Sequence, residues 1–220
     1  MEGDGEAGTI FNSEGWEGRL EAHHGGNRLD GAIGVQFSDV DFGATGEEAF
    51  ISATNTRDIG LFAVERYDLG GWGVEGGVRY EQREIDNVSA GARSFDNISA
   101  SAGVFVRPAP NWFVGATLAR TERAPTAIEL FADGPHLATE SYEIGDGDLG
   151  QETATSIEAS ARFNSGPLRF EVNLYRIAFE DYIALVERGD VWWLDEDTET
   201  SGFAPDESDP GIPVDAEIFP

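Results

Sequence analysis

One histidine of the chain lies close in sequence to several carboxylate residues, and together they have the residue types of a metal site. His136 follows Asp133 and precedes Glu140, Glu143 and Asp146. The chain has no cysteine, so a divalent cation would have to be bound by imidazole and carboxylate groups. The spacing therefore predicts a metal site made by these five residues. The alternative is that the Gly-Pro-His turn fixes the shape of a loop, in which the imidazole caps or packs.

A second pair of candidate ligands, Glu21 and His23, lies two residues apart in a segment that alternates between apolar and polar residues. Side chains two apart on a strand face the same way, so both can contact one ion. A polar strand face needs no metal, however, and both interpretations stay open. His24 faces the opposite side and is expected at an interface.

Other kinds of chemistry find little support in the sequence. Gly145-Asp146-Gly147-Asp148 and the acidic run 195–197 contain possible calcium ligands, but neither has the spacing of an EF-hand loop. There is no nucleophile elbow, no glycine-rich phosphate loop and no His-Glu-x-x-His pair. We therefore expect that the protein is not an enzyme and has no resident cofactor.

Alternation with a period of two residues dominates the chain and predicts an all-β fold of about eight strands. Several of these segments are about ten residues or longer, which suits a tilted strand that crosses a membrane. The predicted strands cover residues 16–22, 29–38, 59–69, 72–84, 98–107, 112–120, 157–163 and 168–179.

Short and long connections alternate between these strands. Turns rich in Gly, Asn and Pro at 25–27, 70–71, 108–111 and 164–167 alternate with polar stretches at 39–55, 85–94, 121–151 and after 187. In an antiparallel meander this order puts all short turns at one end, as in transmembrane β-barrels. Within the third long connection, Pro125–Ala132 is predicted to form a helix of about two turns.

The composition excludes several classes of partner and location. A net charge of −28 and a pI near 4.1 argue against nucleic acid, which requires basic patches. No apolar run is long enough for a transmembrane helix, and the start MEGDGEAGTIF is not typical of a signal peptide. The acidic surplus also fits a secreted β domain that is soluble in saline surroundings, which is the weakest of the hypotheses below.

Several motifs in and around the longest connection resemble a known family. The chain resembles TonB-dependent outer-membrane receptor barrels in four motifs, which have similar residues and the same order. They are Arg120-x-x-Arg123-Ala-Pro-Thr, Glu129-Leu-Phe, Gly134-Pro-His and Gly145-Asp-x-x-Leu-x-x-Glu-Thr. The run 134–139 is most similar to the branch associated with zinc uptake. The resemblance extends to about Asp190. It implies a receptor in the outer membrane of a Gram-negative bacterium, in contact with lipid, that takes up a metal ion or metal chelate with a plug domain and the energy-transducing protein TonB.

We expect the chain to be a fragment of such a barrel, because it shows about eight strands where large transporters have about 22 and it has no recognisable plug. The predicted organisation is a loop or strand remnant at 1–15, a barrel segment at 16–188 and an acidic loop or disordered tail at 189–220. The alternative is a small, self-contained eight-stranded barrel with a structural or adhesive role, whose lumen its own side chains would fill.

Overall fold

The computed structural model describes residues 9–46, 49–136, 141–195, 198, 200–207, 209, 212–213 and 216–219. Eight long strands form one antiparallel sheet in the order β1-β2-β3-β4-β5-β6-β9-β10, which confirms the predicted meander. The elements up to the end of this sheet are β1 Thr9–Gly25, β2 Leu29–Gly46, β3 Thr54–Asp68, β4 Trp72–Asn87, β5 Gly91–Val106, β6 Trp112–Arg123, α1 Ala127–Phe131, β7 Asp133–His136, β8 Ser141–Ile144, β9 Glu152–Ser165 and β10 Leu168–Glu180.

The two faces of this sheet reverse the pattern of a soluble protein. On β4 the apolar residues Val74, Val78 and Tyr80 face one side and are exposed, whereas Arg79 and Arg83 face the other side and are partly covered. On the polar face, which we call the inner face, charges pair with one another. Arg83 of β4 contacts Asp58 of the neighbouring strand β3 at 2.6 Å. Apolar residues outside and paired charges inside are typical of a transmembrane barrel wall.

The outer face changes from apolar to polar at one point on each strand. On β4 the nine residues Trp72–Tyr80 carry the apolar run, and Gln82, Glu84 and Asp86 follow on the same face. Nine residues is close to the length that a tilted strand needs to cross a membrane. The continuous apolar outward runs end, in chain order, at Trp16, Phe37, Ile59, Tyr80, Ile98, Leu118, Ile157 and Leu174, and Ile10 on β1 is a further exposed apolar residue beyond this boundary.

The pairing register shows that this boundary runs obliquely across the sheet. It moves toward the short turns by two residues between β1 and β2, two between β3 and β4, four between β5 and β6 and two between β9 and β10. Between β2 and β3, β4 and β5, and β6 and β9, the boundary stays at directly paired residues. The total shift of ten residues corresponds to about 33 Å along the strands, and the sheet is about 34 Å wide across them. The strands therefore cross this boundary at a tilt of about 45°. This tilt is close to the value for membrane barrels.

The connections differ in part from the expected pattern. Short turns join β1 to β2, β3 to β4, β5 to β6 and β9 to β10, as predicted. The expected long connection at 85–94 is wrong, because β4 and β5 continue to Asn87 and Gly91. Asn87 accepts hydrogen bonds from the backbone of Ser89 and Ala90, and Gly91 adopts a φ of 88°. The period-two signal is weak there, because the outer face is polar beyond the apolar band and the inner face is mostly polar apart from Ile85 and Phe95, although the hydrogen-bonded ladder persists.

The longest connection, between β6 and β9, packs against the inner face of the sheet. Ile85 and Phe95 point inward from β4 and β5 and are buried with Ala124 and Leu130 of the connection. A second cluster joins Phe50 and Ile51, from the connection between β2 and β3, to Ala132. The predicted helix is real but short, since α1 has five residues. The connection is therefore packed on the inner face of the sheet at the end opposite the short turns, which we call the external end of the wall.

Short strands also occur where the sequence predicts an acidic loop or disordered tail. β11 Val191–Asp195, β12 Thr200–Ala204 and β13 Glu217–Phe219 form a sheet in the order β12-β11-β13. The run Val-Trp-Trp-Leu at 191–194 supplies apolar residues that the acidic composition of the segment outweighed in the sequence analysis. In the part of the chain that the structure describes, no helix has the length and apolar character to span a membrane.

Replacing Ile85 by Ala should loosen the packed connection. Ile85 is fully buried, so the substitution leaves a cavity and should lower the free energy of unfolding by about 2–5 kcal/mol. The matched control is Ile98→Ala on the outer face, where lipid fills the space and the loss should be smaller. Urea unfolding in lipid vesicles measures both values, and an equal loss would contradict the inward packing of Ile85.

Single cysteines on the outer face of β4 should locate the end of the apolar band. The natural chain has no cysteine, so each introduced thiol is the only one present. We expect Val78→Cys to be shielded by lipid and Glu84→Cys to react with a membrane-impermeant maleimide. Labelling after solubilisation in detergent is the control for the reactivity of each thiol. Equal labelling of the two thiols in vesicles would show that the boundary is misplaced.

Candidate ligand-recognition site

The start of the longest connection is fixed by a capped helix and an ion-pair node. Thr126 caps α1 by accepting a hydrogen bond from the backbone of Glu129, whose carboxylate in turn accepts one from the backbone of Thr126. Arg123, at the end of β6, contacts Glu129 at 2.8 Å and Glu152 at 3.4 Å. One guanidinium therefore joins β6, α1 and the first residue of β9, and it closes the base of the connection.

The two carboxylates of this node are stabilised in their charged form. The pKa of Glu152 is lowered by a hydrogen bond from the backbone of Ile183 and by Arg123, against the effect of burial. Burial raises the pKa of Glu129, but hydrogen bonds from Arg123 and Thr126 outweigh it and the net direction is down. Both groups are therefore ionised at neutral pH, and the expectation from the sequence that Arg123 pairs with carboxylates of the loop is confirmed.

His136 and Glu143 are brought together by the hairpin of β7 and β8. The imidazole Nδ1 lies 2.7 Å from Oε1 of Glu143, which is 8% exposed, and the ring stacks on Phe50 with the centroids 4.4 Å apart. Gly134, opposite Glu143 in this hairpin, approaches the Phe50 backbone so closely that a Cβ would lie 2.7 Å from its Cα. The pair thus sits on a strand hairpin packed against Phe50, not in an open loop.

The other predicted ligands near His136 take different positions. Asp133 faces the opposite side of the hairpin and accepts a hydrogen bond from Tyr142 at 3.0 Å. Burial, with the help of this hydrogen bond, raises the pKa of Tyr142 to about 12. Asp146 lies in the following turn, where its carboxylate accepts a hydrogen bond from the backbone of Asp148. Glu140 lies outside the described residues. Of these ligands, the described structure joins only His136 and Glu143.

Glu21 and His23 form a separate pair on the inner face of β1. His23 Nε2 lies 2.9 Å from the Glu21 carboxylate, which also contacts Arg19. This strand region lies toward the short turns, at the end of the sheet opposite to His136. Among the described residues, no group of three or more His, Asp or Glu side chains is arranged to hold a metal ion.

An aromatic cleft beside the hairpin was not predicted from the sequence. Tyr142 packs on Trp192 of β11 and on Phe203 of β12, with ring centroids 4.7 and 5.3 Å apart. The cleft between β8 and residues 185–192 has a volume of about 470 Å³, within the range of small-molecule sites. Leu185 and Val186 line it and are exposed. The adjacent Trp192 and Trp193, in an otherwise acidic segment, were the sequence signal that could have indicated this cleft.

Acidification should release the base of the connection. The pKa values of Glu129 and Glu152 lie below their ordinary value of 4.5, so their stabilising effect is complete above it and is lost as the pH falls through the lowered values. Hydrogen exchange of residues 124–136 should be constant from pH 7 to about 5, after correction for intrinsic rates, and rise below pH 4.5.

Arg123→Gln should remove most of this pH dependence and speed the exchange roughly fivefold at pH 7, since a partly exposed charged hydrogen bond contributes about 1 kcal/mol. Arg162→Gln is the control, because Arg162 pairs with Glu171 between β9 and β10. An unchanged pH profile in the Arg123 variant would show that other groups hold the connection.

Comparison with known proteins agrees with the geometry. The family model "TonB dependent receptor-like, beta-barrel" matches residues 3–193. A solved copper transporter, OprC, superposes with a TM-score of 0.65 at 15% identity, over 89% of this chain and 32% of its own. The FrpB iron transporter of Neisseria meningitidis (F3-3 variant) gives 0.62 at 16% identity, over 82% and 30%.

A third solved structure is the ferric yersiniabactin uptake receptor FyuA of Yersinia pestis, with a TM-score of 0.51 at 12% identity over 80% of this chain and 31% of its own. The chain thus spans about a third of the length of these structures. At these identities the likeness concerns the fold. The family model covers most of the sequence, including the motifs around Arg123 and His136. The chain therefore belongs to the TonB-dependent receptor-like β-barrel family.

Proposed function

We propose that the chain forms part of the wall and of the external recognition end of an outer-membrane receptor that captures a metal ion or metal chelate. Family membership supports a receptor and transport role. Solved structures with the same fold are named for copper, iron and ferric yersiniabactin. No enzymatic role is proposed. The sheet is open, with β1 and β10 at its edges, which does not favour the alternative of a closed eight-stranded barrel.

The observation that carries this proposal is that Glu143, the hydrogen-bond partner of His136, also lines the aromatic cleft. The imidazole and the carboxylate lie 2.7 Å apart, and both belong to the connection packed inside the external end of the wall. Imidazole and carboxylate suit zinc and copper, and the apolar cleft suits an organic chelator. Capture there would place a metal at the entrance of the polar inner face.

A chelate fits this pair better than a bare ion. Zinc in proteins is usually held by three or four protein ligands, whereas His136 and Glu143 supply two. The remaining positions would come from the chelator, or from Glu140. Zinc, the ion that the sequence resemblance favours, is retained as the proposed metal. Asp133 and Asp146 are proposed to attract cations to this end, and Glu21 and His23 to provide a second contact along the inner face.

Uptake would depend on further components that the family implies. We propose that the outer face contacts outer-membrane lipid, that a plug domain occupies the lumen in the full-length receptor, and that TonB supplies the energy. The paired charges on the inner face, such as Arg83 with Asp58, would then line the space that the plug occupies.

Metal binding should depend on His136. Zn²⁺ and a zinc–citrate complex are titrated into the detergent-solubilised chain by isothermal calorimetry. We expect the citrate complex to bind more tightly than free Zn²⁺, and His136→Ala to weaken it about 10- to 100-fold, the usual effect of disturbing a metal site. His24→Ala is the control, since His24 contacts Glu65 on the outer face near the short turns.

Equal affinities of the His136 and His24 variants would remove His136 from the site. Binding of free Zn²⁺ that is lost in His23→Ala would instead move the site to the Glu21 and His23 pair. If neither form of zinc binds but a copper or iron citrate complex does, the zinc assignment fails and the proposal of a chelate receptor remains.

A further inference from the structure

One acidic side chain faces outward within the apolar band of the sheet. On β3 the outward positions from Ile59 to Tyr67 are apolar or aromatic except Glu65, which lies six residues from Ile59 and two from Tyr67. In the described strands of the large sheet, no other Asp, Glu or Arg takes an outward position inside the band. An ionisable group that faces hydrocarbon is costly, and in membrane proteins such a group usually marks a functional site.

The Glu65 carboxylate reaches across the neighbouring strand to a histidine of β1. Its Oε2 lies 3.0 Å from Nε2 of His24, and the two side chains are 44% and 47% exposed. The residue between them, on β2, is Gly31, where a Cβ would collide with the carboxylate. The glycine therefore makes room for the contact. A neutral imidazole that donates one N–H leaves the negative charge of the carboxylate uncompensated.

Small residues continue the same row on the other side of Glu65. The register pairs Glu65 with Gly76 on β4, and Gly76 with Ala102 on β5. On β4 the larger Val74 and Val78 are the outward residues before and after Gly76. The outer face therefore has a shallow depression at Gly76 and Ala102, which we call the outer groove.

The outer groove leads from the edge of the membrane toward its middle. Counted along its strand from the external boundary of the apolar band, His24 lies eight residues below the boundary, Glu65 six and Gly76 four. With a rise of about 3.3 Å for each residue and a tilt of about 45°, these counts correspond to depths of about 19, 14 and 9 Å. The pair of Glu65 and His24 is therefore close to the headgroups of the leaflet on the side of the short turns, and the groove runs from it into hydrocarbon.

We propose that Glu65, together with His24, binds the primary ammonium group of a membrane lipid in the leaflet on the side of the short turns. One acyl chain of this lipid lies in the outer groove. A primary ammonium offers three N–H donors to the carboxylate, whereas a quaternary ammonium offers none. The inference depends on the fold alone and not on the cargo that the receptor captures.

Charge favours a lipid over a second copy of the chain at this position. A two-fold dimer centred on the outer groove would bring the Glu65 carboxylates of both copies together. Within the band, the described outer face has no arginine that could neutralise them, and the chain has no lysine. An aminolipid supplies the complementary positive charge and also the hydrocarbon that covers Gly76 and Ala102.

Native mass spectrometry of the full chain tests the proposal. The chain is released from detergent that contains equal amounts of phosphatidylethanolamine and phosphatidylcholine with identical acyl chains, and the first lipid adducts are compared. We expect the phosphatidylethanolamine adduct to exceed the other about two- to fivefold, the range that one partly exposed ion pair contributes. Glu65→Gln should bring the ratio to about one. The control Glu84→Gln removes one carboxylate from the outer face beyond the band and should keep the ratio.

A ratio of about one in the unaltered chain, or a preference that survives in Glu65→Gln, overturns the proposal. If Glu65→Gln does not fold, Gly76→Val, which fills the outer groove and keeps the carboxylate, must still lower the ratio. Loss of the preference on adding free ethanolamine, but not on adding sodium chloride of equal ionic strength, would assign the pair to soluble amines. A dimer in the spectra that Glu65→Gln abolishes would assign it to a second copy. Either of these two results also overturns the proposal.

Discussion

Satisfaction of the backbone within lipid is the constraint on which the other features depend. In hydrocarbon, every N–H and C=O group must find a partner inside the protein, and a continuous antiparallel ladder supplies one along the interior of the sheet. Once the ladder exists, alternate side chains must face lipid and lumen, so an apolar outer face and a paired-charge inner face follow. The salt bridge of Arg83 with Asp58 belongs to this consequence, because charges on the inner face have only each other and water as partners.

The recognition end is built by extending the same strands beyond the membrane. There the inner face becomes apolar at Ile85 and Phe95 and serves as a docking surface for the connection between β6 and β9. Arg123 closes the base of that connection, and the hairpin that carries His136 leans on Phe50. The wall thus both spans the lipid and supports the residues of the candidate site.

Much of this architecture follows from sequence, since period-two alternation is strong wherever one face meets lipid. The number of strands in the large sheet was predicted on that basis, whereas the short turns and the short helix were predicted from the positions of Gly, Asn and Pro. The signal weakens beyond the apolar band, where the outer face of β4 and β5 is polar and the apolar residues of the inner face are isolated, and the strands were therefore predicted too short. The partners of His136 were only partly predictable, because the opposite orientations of Asp133 and Glu143 depend on a hairpin register that composition does not encode. The cleft at Tyr142 depends on strands distant in sequence, and its local signal was limited to the adjacent Trp192 and Trp193.

The inward packing of the longest connection has an entropic consequence for recognition. A long exposed loop would have to lose its conformational freedom when it closes on a ligand, at about 1–2 kcal/mol for each residue ordered. Here Leu130 is already packed against the wall, and Ala132 and Gly134 are packed against Phe50. A ligand bound at His136, as proposed, would therefore meet a preorganised surface, and little of its binding energy would be needed to order the protein.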